Sequence, residues 1–440
     1  MQLKVVKFGG SSLADAAQFK KVYDIVKSDN ARRFVVPSAP GKRSKDDTKV
    51  TDMLYSCYEM ASNGENIDEY FGFIEKRYNE IIETLGVDLS LAREFELIKI
   101  AFAHKAGKDY AASRGEYLNG LILAKYLGFD FIDPAEFIYF NESGTLDAER
   151  TNITLSAELK RHDYAVIPGF YGSMPNDTIK TFSRGGSDIT GSIVARAAGA
   201  DVYENWTDVD GFLMADPRII DSPNTIGTIT YRELRELSYM GATVLHEDAI
   251  FPVRFAGIPI NIRNTNNPDA KGTMIVATPS KDDGHGVITG IAGKKGVSTL
   301  TIEKDMMNAE IGFGRRVLEV FEQNEVCFEH LPSGIDTMSV VVSTSEIHKN
   351  KDKVLNGVFK AVTPDSMTVE DGIALIAIVG RGMVEAKGTA ARIITAVSEA
   401  DVNIKMIDQG SSELSIIIGI KEEDFEKTLR AIYNEFCPNK

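Results

Sequence analysis

Two short stretches of the chain set a cation beside paired glycines and hydroxyls. The first, Lys7-Phe8-Gly9-Gly10-Ser11-Ser12, follows an apolar run and precedes helical spacing. Glycine lets backbone N–H groups approach an anion closely, a helix N-terminus favours negative charge, and Lys7 at a strand end reaches the same anion. The competing reading is an ordinary β–α turn with Ser11 or Ser12 as its N-cap. The second stretch, Phe182-Ser183-Arg184-Gly185-Gly186-Ser187-Asp188, opens another helix. The planar fork of Arg184 suits a carboxylate, and Asp188 suits an N-cap. Capping alone accounts poorly for two such turns, each with its own cation, so the pair points to phosphate handling. Neither a Walker A loop nor a Gly-x-Gly-x-x-Gly fingerprint occurs.

Two further stretches are more ambiguous. Asn205-Trp206-Thr207-Asp208-Val209-Asp210-Gly211, running on to Ala215-Asp216-Pro217-Arg218, carries turn chemistry and reads first as a solvated loop. The single Trp beside Thr-Asp is also suited to lining a nucleotide pocket. Ser113-Arg114-Gly115-Glu116 precedes the apolar stretch 118–127, so Glu116 reads as a first-turn glutamate favoured by the helix dipole. The six histidines lack ligand spacing, and we assign no metal-binding residue among them.

The elements that must position these groups alternate between strand and helix over residues 1–285. Leu3–Phe8, Phe34–Val36, Phe129–Ile132, Tyr164–Ile167 and Ala200–Tyr203 read as strands, with helices predicted over 14–28, 120–127 and 189–198. This order predicts a mainly parallel sheet with helices on both faces, an αβα three-layer sandwich. Residues 65–105 read as an inserted helical layer, and Lys42–Thr48 as a mobile charged loop. The chain turns polar and Gly-rich at 281–286, where a domain boundary is predicted. Beyond it the sequence repeats with a shift of 76 (388 − 312). Gly312 falls on Gly388, Val317 on Ile393, Val326 on Val402, and Met338–Val342 on Leu414–Ile418. Two copies of one small α+β module follow: 286–371, with its leading strand 286–294 shared with the second copy, and 372–440.

Composition bounds the rest. The balance of 49 basic against 64 acidic residues leaves −15, which argues against a general nucleic-acid or anionic-membrane binder. Cys57, Cys327 and Cys437 are widely spaced and read as reduced packing residues. With no targeting segment and no run near the ~18 apolar residues of a membrane span, the sequence leads us to expect a cytoplasmic protein.

Taken in order and spacing, Lys7 to Ser11, Arg184 to Asp188, Trp206 to Gly211 and Asp216 to Arg218 resemble the aspartate kinases of the amino acid kinase superfamily. The C-terminal repeat resembles the paired ferredoxin-like ACT modules of that family. The resemblance implies transfer of the ATP γ-phosphate to the β-carboxylate of L-aspartate, with Mg²⁺ accompanying ATP. It implies that Lys7 stabilises the transferring phosphoryl group, that Asp188 orients Lys7, and that Gly9, Gly10 and Ser11 cradle phosphate oxygens. Arg184 would clamp the α-carboxylate and Glu116 would accept from the α-ammonium, with Thr51, Phe170, Gly185 and Ser187 lining the pocket. Thr207, Asp208 and Arg218 would contact the nucleotide. Leu213 and Thr243 stand where some members carry a Tyr and a Lys beside it.

The acceptor itself needs no catalytic base, since a β-carboxylate with a pKa near ~4 is already ionised at neutral pH. Resemblance to lysine-sensitive members implies L-lysine as effector first and L-threonine second. Candidate contacts are Met307, Gly312, Phe313, Gly314, Phe328 and Glu329, at the interface of a homodimer through the ACT modules or of a dimer of dimers. The chain ends shortly after the second repeat, so no fused dehydrogenase is expected. Rival readings are a kinase for glutamate or N-acetylglutamate, and a non-enzymatic amino acid sensor.

Overall fold

Lys4-Val5-Val6-Lys7-Phe8 alternates its side chains between two faces, and both faces are covered. Val5, Val6 and Phe8 are wholly buried, each contributing roughly 1.5–3 kcal/mol by leaving water. This segment is the central strand of the first of two compact units in a computed structural model. The structure describes residues 2–183, 185–242, 247–279 and 286–437, with side chains of 247–249 excepted.

The chain runs through β1 (Lys4–Phe8), α1 (Ala16–Lys27), β2 (Arg32–Pro37), α2 (Val50–Ser62), α3 (Asp68–Leu85), α4 (Ala92–Ala103) and α5 (Lys108–Leu127). There follow β3 (Asp130–Phe131), α6 (Ala148–Leu159), β4 (Ala165–Val166), β5 (Tyr171–Ser173), β6 (Ile179–Thr181), α7 (Gly186–Ala198) and β7 (Val202–Thr207). Next come β8 (Thr228–Thr230), α8 (Tyr231–Tyr239), α9 (Glu247–Ala256), β9 (Ile260–Asn264) and β10 (Thr273–Val276). The first unit comprises Met1–Phe212, Thr225–Tyr231 and Val244–Ser280. Its sheet has the order β3-β4-β2-β1-β7-β9-β10-β8 among the described residues, parallel except for the β9–β10 pair. Val6, Phe8 and Val35 face a core built with α1 to α5, while α7 packs against β1, β2 and β7. The predicted three-layer arrangement is present, with the helical insert realised as α3 and α4.

Three local readings change. Gly10–Leu13 forms a short 3-10 turn, and α1 starts only at Ala16, capped by Asp15 accepting from Gln18 N at 2.9 Å. Neither Ser11 nor Ser12 is the cap. Helix α5 starts at Lys108, so Glu116 lies in mid-helix rather than in a first turn. Trp206 belongs to β7 and is buried, stacked on Phe8, with Nε1 donating to Glu204 Oε2 at 2.9 Å. It supports the sheet, and no solvated loop begins before Thr207.

The second unit comprises Leu213–Asn224, Arg232–Thr243 and Lys281–Lys440. After the predicted boundary, of which Lys281 to His285 lie outside the described residues, come β11 (Gly290–Glu303), α10 (Phe313–Gln323), β12 (Phe328–His330), β13 (Thr337–Ser343) and α11 (Thr344–Val362). They are followed by β14 (Ser366–Val379), α12 (Thr389–Glu399), β15 (Ile404–Asp408), β16 (Ser415–Lys421) and α13 (Phe425–Phe436). Strand order is β12-β13-β11-β14-β16-β15. β11 and β14 are long and antiparallel: 290–294 lie beside 375–379, and 299–303 beside 366–370. The leading strand of one repeat is therefore paired with the other. Leu213–Asn224 and Arg232–Thr243 precede the predicted boundary yet pack here. Ile291 N donates to Met214 O at 2.7 Å, and Ala215, Ile219 and Ile220 share a core with Ile376, Ile393 and Ile418. The compact units thus do not follow one cut of the chain.

The repeat is visible in backbone detail. Gly312 and Gly388, 76 positions apart, are the N-caps of α10 and α12 with φ +79° and +85°. A Cβ on Gly312 would come no closer than 3.8 Å to another residue, and one on Gly388 would meet nothing within 4 Å. Only the left-handed backbone opposes a side chain there. Gly312→Ala and Gly388→Ala should therefore each cost about 1–2 kcal/mol, read as equal shifts of the urea midpoint at unchanged slope. A neutral effect at either site would contradict the shared backbone demand.

Candidate active site

The sheet brings Lys7 to the carboxyl end of β1, pointing to the face that α7 covers. Its ammonium is 2.5 Å from Asp188 Oδ1 and 3.5 Å from Asn205 Oδ1, and Asn205 Nδ2 donates to Asp188 Oδ1 at 2.8 Å. Register explains the triangle, since Lys7 lies beside Asn205 on the adjacent β7. Asp188 is placed by the start of α7: Gly185 takes a left-handed conformation (φ +60°) as N-cap, and its carbonyl accepts from Asp188 N at 2.8 Å. Asp188 is thus the third residue of the helix rather than its cap.

A cleft of about 190 Å³ opens beside this triangle, lined by Lys7, Ser38, Thr51, Glu116, Phe170, Gly185, Gly186, Ser187 and Asp188. It is smaller than the ~300 Å³ at which drug-sized pockets begin, a size for a small metabolite or part of one. Phe170 holds φ +82°, and a Cβ on Gly186 would fall 2.2 Å from its ring. A bulky residue in that conformation costs of order 1–3 kcal/mol. Bonds from Thr190 Oγ1, which accepts from Phe170 N, and from Phe182 N to Phe170 O keep it there.

Glu116 is the chemically loaded wall. Its side chain is buried and Oε2 has no hydrogen-bond partner. Burial pushes its carboxyl up to about 8, opposed in part by the Ala39 backbone N–H and by the charge of Arg114. A buried acceptor left open in a cleft is suited to a ligand cation.

The glycine turn flanks Lys7. Gly9 N donates to Trp206 O at 3.1 Å, so this N–H is taken. Among the described residues the N–H groups of Gly10 and Ser11 have no acceptor. Gly9 has ordinary backbone angles (φ −70°), and a Cβ there would sit 3.6 Å from Lys7 Nζ.

The structure therefore brings Lys7, Thr51, Glu116, Phe170, Gly185, Ser187 and Asp188 into one cleft, with Gly9, Gly10 and Ser11 alongside. Thr207 and Asp208 follow Trp206 at the same end of β7, with Thr207 Oγ1 bonded to Asp208 Oδ1 at 3.1 Å. Arg184 and Thr243 lie outside the described residues. Leu213 and Arg218 fall in the second unit, where Arg218 is exposed and paired with Asp216 at 2.6 Å. Of the effector candidates, Met307 and Phe313 are buried in the core of the first repeat, Gly312 caps α10 ahead of Gly314, and Phe328 is half exposed. Glu329 is already engaged, by Lys294 Nζ at 2.6 Å and Tyr239 OH at 2.5 Å. Two residues of the site escape a reading of motifs alone. Ser38, in the cleft wall, directly follows β2, and Asn205 faces Lys7 only through strand register.

Among the described residues such a cleft offers the Lys7 ammonium, the unengaged N–H groups of Gly10 and Ser11 and a buried carboxyl, a set that can bind an ammonium-bearing acid and transfer a group between anions. Residues 2–264 match the amino acid kinase family and residues 376–436 match the ACT domain. The chain is 40% identical to aspartokinase 3 of Bacillus subtilis (strain 168), covering 99% of this chain and 98% of that relative. It is similar to the crystal structure of Clostridium acetobutylicum aspartate kinase, with TM-score 0.90, 51% identity and coverage of 99% and 100%. Two structures of E. coli aspartokinase III share the fold at TM-score 0.71 and 24% identity. They cover 99% of this chain and 99% and 100% of their own. One is in complex with aspartate and ADP, the other with lysine and aspartate. The chain belongs to the amino acid kinase family. Its activity within that family is that of an aspartate kinase. Among the described residues no helix is long and apolar enough to cross a membrane.

Gly9 separates space from backbone demand. Gly9→Ala should leave thermal stability unchanged or slightly raised, because alanine suits these angles. It should lower kcat/KM for ATP by about 10²-fold, the cost of a misplaced reacting group. Unchanged ATP use in a folded variant would remove the turn from the phosphate site.

Proposed function

We propose that the cleft transfers the γ-phosphoryl group of ATP to the β-carboxylate of L-aspartate, giving 4-phospho-L-aspartate and ADP. The observation that carries this reading is the buried ammonium of Lys7, held by Asp188 and Asn205 in a cleft also lined by the Glu116 carboxyl, whose Oε2 has no hydrogen-bond partner. A β-carboxylate oxygen bonds to Pγ as the bond from Pγ to the bridging oxygen breaks. ADP leaves with that electron pair, and no proton moves. Lys7 stabilises the charge spread over the transferring group, and the Gly10 and Ser11 N–H groups meet phosphate oxygens. Glu116 receives the α-ammonium, Arg184 the α-carboxylate, and Thr51, Phe170, Gly185 and Ser187 enclose the amino acid. Thr207 and Asp208 serve the nucleotide.

Mg²⁺ enters as part of the MgATP substrate. Among the described residues no group of three or more His, Cys, Asp or Glu could hold a metal, and Asp188 is taken by Lys7 and Asn205. The acyl phosphate product is what a first step toward lysine, threonine and methionine requires. We read residues 1–285 as the catalytic domain and 286–371 and 372–440 as ACT modules of a cytoplasmic homodimer or dimer of dimers. L-lysine is the preferred effector and L-threonine the second. Glu329 would take the effector ammonium, in exchange for Lys294. An N-acetylated substrate has no ammonium to offer Glu116, which favours free aspartate.

A hydroxamate assay for acyl phosphate, run with aspartate, glutamate and N-acetylglutamate, tests the substrate. Only aspartate should give product, and millimolar L-lysine should suppress it. Lys7→Ala should lower kcat by about 10²–10³-fold with aspartate affinity nearly intact; near-normal turnover would refute the role of Lys7.

The pH dependence of binding follows from Glu116. Burial pushes its carboxyl up to about 8, and only the ionised form attracts an ammonium. Aspartate affinity should therefore rise with pH up to about 8, by at most ~10-fold per unit, and level off above. Calorimetry from pH 6 to 8.5 should show this slope in the parent and a flat profile in Glu116→Gln. A flat parent profile would exclude Glu116 as the ammonium site.

A further inference from the structure

We propose that Arg77, on the inserted helix α3, is a positioning residue for phosphoryl transfer: it fixes from behind the backbone of the glycine turn. The inference rests on the reading of Lys7 to Ser11 as the phosphate end of the site.

Arg77 is almost wholly buried. Its Nη2 donates to Gly41 O at 2.7 Å and to Ala14 O at 3.0 Å, and its Nη1 donates to Asp47 Oδ2 at 2.8 Å. Gly41 is the partner of Gly10. Gly41 N donates to Gly10 O at 2.8 Å, and a Cβ on Gly41 would fall 2.5 Å from the Gly10 carbonyl carbon. A Cβ on Gly10 would lie 2.9 Å from Ala39 O. The two backbones are in direct contact, so a shift of Gly41 moves Gly10 and the N–H groups that follow it. Ala14 closes the 3-10 turn that Gly10 opens. One planar guanidinium thus holds both ends of the turn, which a single ammonium with its point-like donors cannot reproduce.

The Nη1 bond to Asp47 anchors Arg77 itself. Residues 42–48, predicted to be a mobile loop, are tied down through Asp47, which Arg43 and Arg77 share at 3.1 and 2.8 Å. The next residue on α3 serves the other half of the cleft. Tyr78 OH donates to Gly115 O at 2.8 Å, directly before Glu116. Adjacent side chains of one helix therefore back the phosphate turn and the amino acid wall separately.

The test uses Arg77→Lys and Arg77→Met in the full chain. The methionine variant leaves Asp47 paired with Arg43, so no carboxylate is stranded; the lysine variant keeps a cation opposite Asp47 and decides the matter if the other does not fold. Circular dichroism checks the fold, calorimetry gives aspartate affinity, and ADP release gives the ATP constants. We expect aspartate affinity within about threefold of the parent, while kcat/KM for ATP falls by about 30–100-fold. An ATP constant within threefold of the parent overturns the proposal. So does a parallel loss of aspartate affinity, which marks a merely structural arginine. Gly9→Ala separates this failure from failure of the underlying reading. If that variant loses ATP use and Arg77→Lys does not, only the positioning role falls. If Gly9→Ala keeps ATP use, the phosphate assignment itself falls.

Discussion

A buried ammonium must find a carboxylate, and the pairing of Lys7 with Asp188 imposes that condition on the catalytic unit. Leaving one partner of such a pair unmatched costs about 3–5 kcal/mol. Lys7 sits on the central strand with both neighbouring strands in place, so it cannot turn away to water. The carboxylate must come to it, which requires α7 to start one turn earlier, at a residue able to take the left-handed conformation. Gly185 meets that need. Asn205 then bridges cation and anion from β7, and its position depends on the parallel register of β1 and β7. Strand order, helix start and side-chain choice are in this sense one constraint. The pair is also left incompletely enclosed, with Asp188 partly exposed toward the cleft. A cation held by one carboxylate and one amide keeps hydrogen-bonding capacity for an incoming anion.

The second carboxylate of the cleft meets the opposite environment. Asp188 has two partners, whereas Glu116 has an open oxygen and little water. Burial that the charge of Arg114 offsets only in part favours the protonated form, and a ligand ammonium would reverse that preference. On the proposed reading the two acids would divide the work without either acting as a base. Asp188 would set the position of the Lys7 ammonium, and Glu116 would receive the amino group. Chemistry that starts from an ionised acceptor asks for placement and charge, and the cleft is furnished accordingly.

Much of this was legible in the residues, for physical reasons that differ by element. β1, the two glycine turns and the repeat carry local signals: apolar runs, paired glycines, and a period of 76 that returns as equivalent left-handed caps at Gly312 and Gly388. What escaped was decided by tertiary contact. The first half of α5 is hidden by Ser113, Arg114 and Gly115, which look unlike a buried helix. Gly115 is there because Ala39 lies 2.8 Å from where its Cβ would be, and Arg114 is enclosed by the rings of Tyr110, Tyr117 and Tyr171. Asn205 and Arg77 act through neighbours distant in sequence, for which no spacing rule exists. Residues 213–224 and 232–242 look like part of the catalytic alternation, yet Ala215, Ile219 and Ile220 are buried in the core of the second repeat, and Glu233 bonds to Thr289 and Arg381.

The repeat unit raises a separate question of what an effector must displace. Glu329 faces an internal lysine, and the ammonium of Lys294 also lies 4.3 Å from the Tyr239 ring centroid. Burial alone would raise the Glu329 carboxyl, but the bonds from Lys294 and Tyr239 hold it below its ordinary value. A free lysine arriving at Glu329 would exchange one charge-assisted bond for another, so that contact yields little net affinity. The binding energy would have to come from its α-amino and α-carboxylate groups. Release of Lys294 and Tyr239 would be the structural consequence, and a ligand shifts an equilibrium only by its differential affinity for the two states. Tyr239 ends α8, which continues in sequence from β8 of the catalytic sheet. At a carboxylate already occupied by the chain's own lysine, ligand exchange and release of the α8 anchor would be the same event.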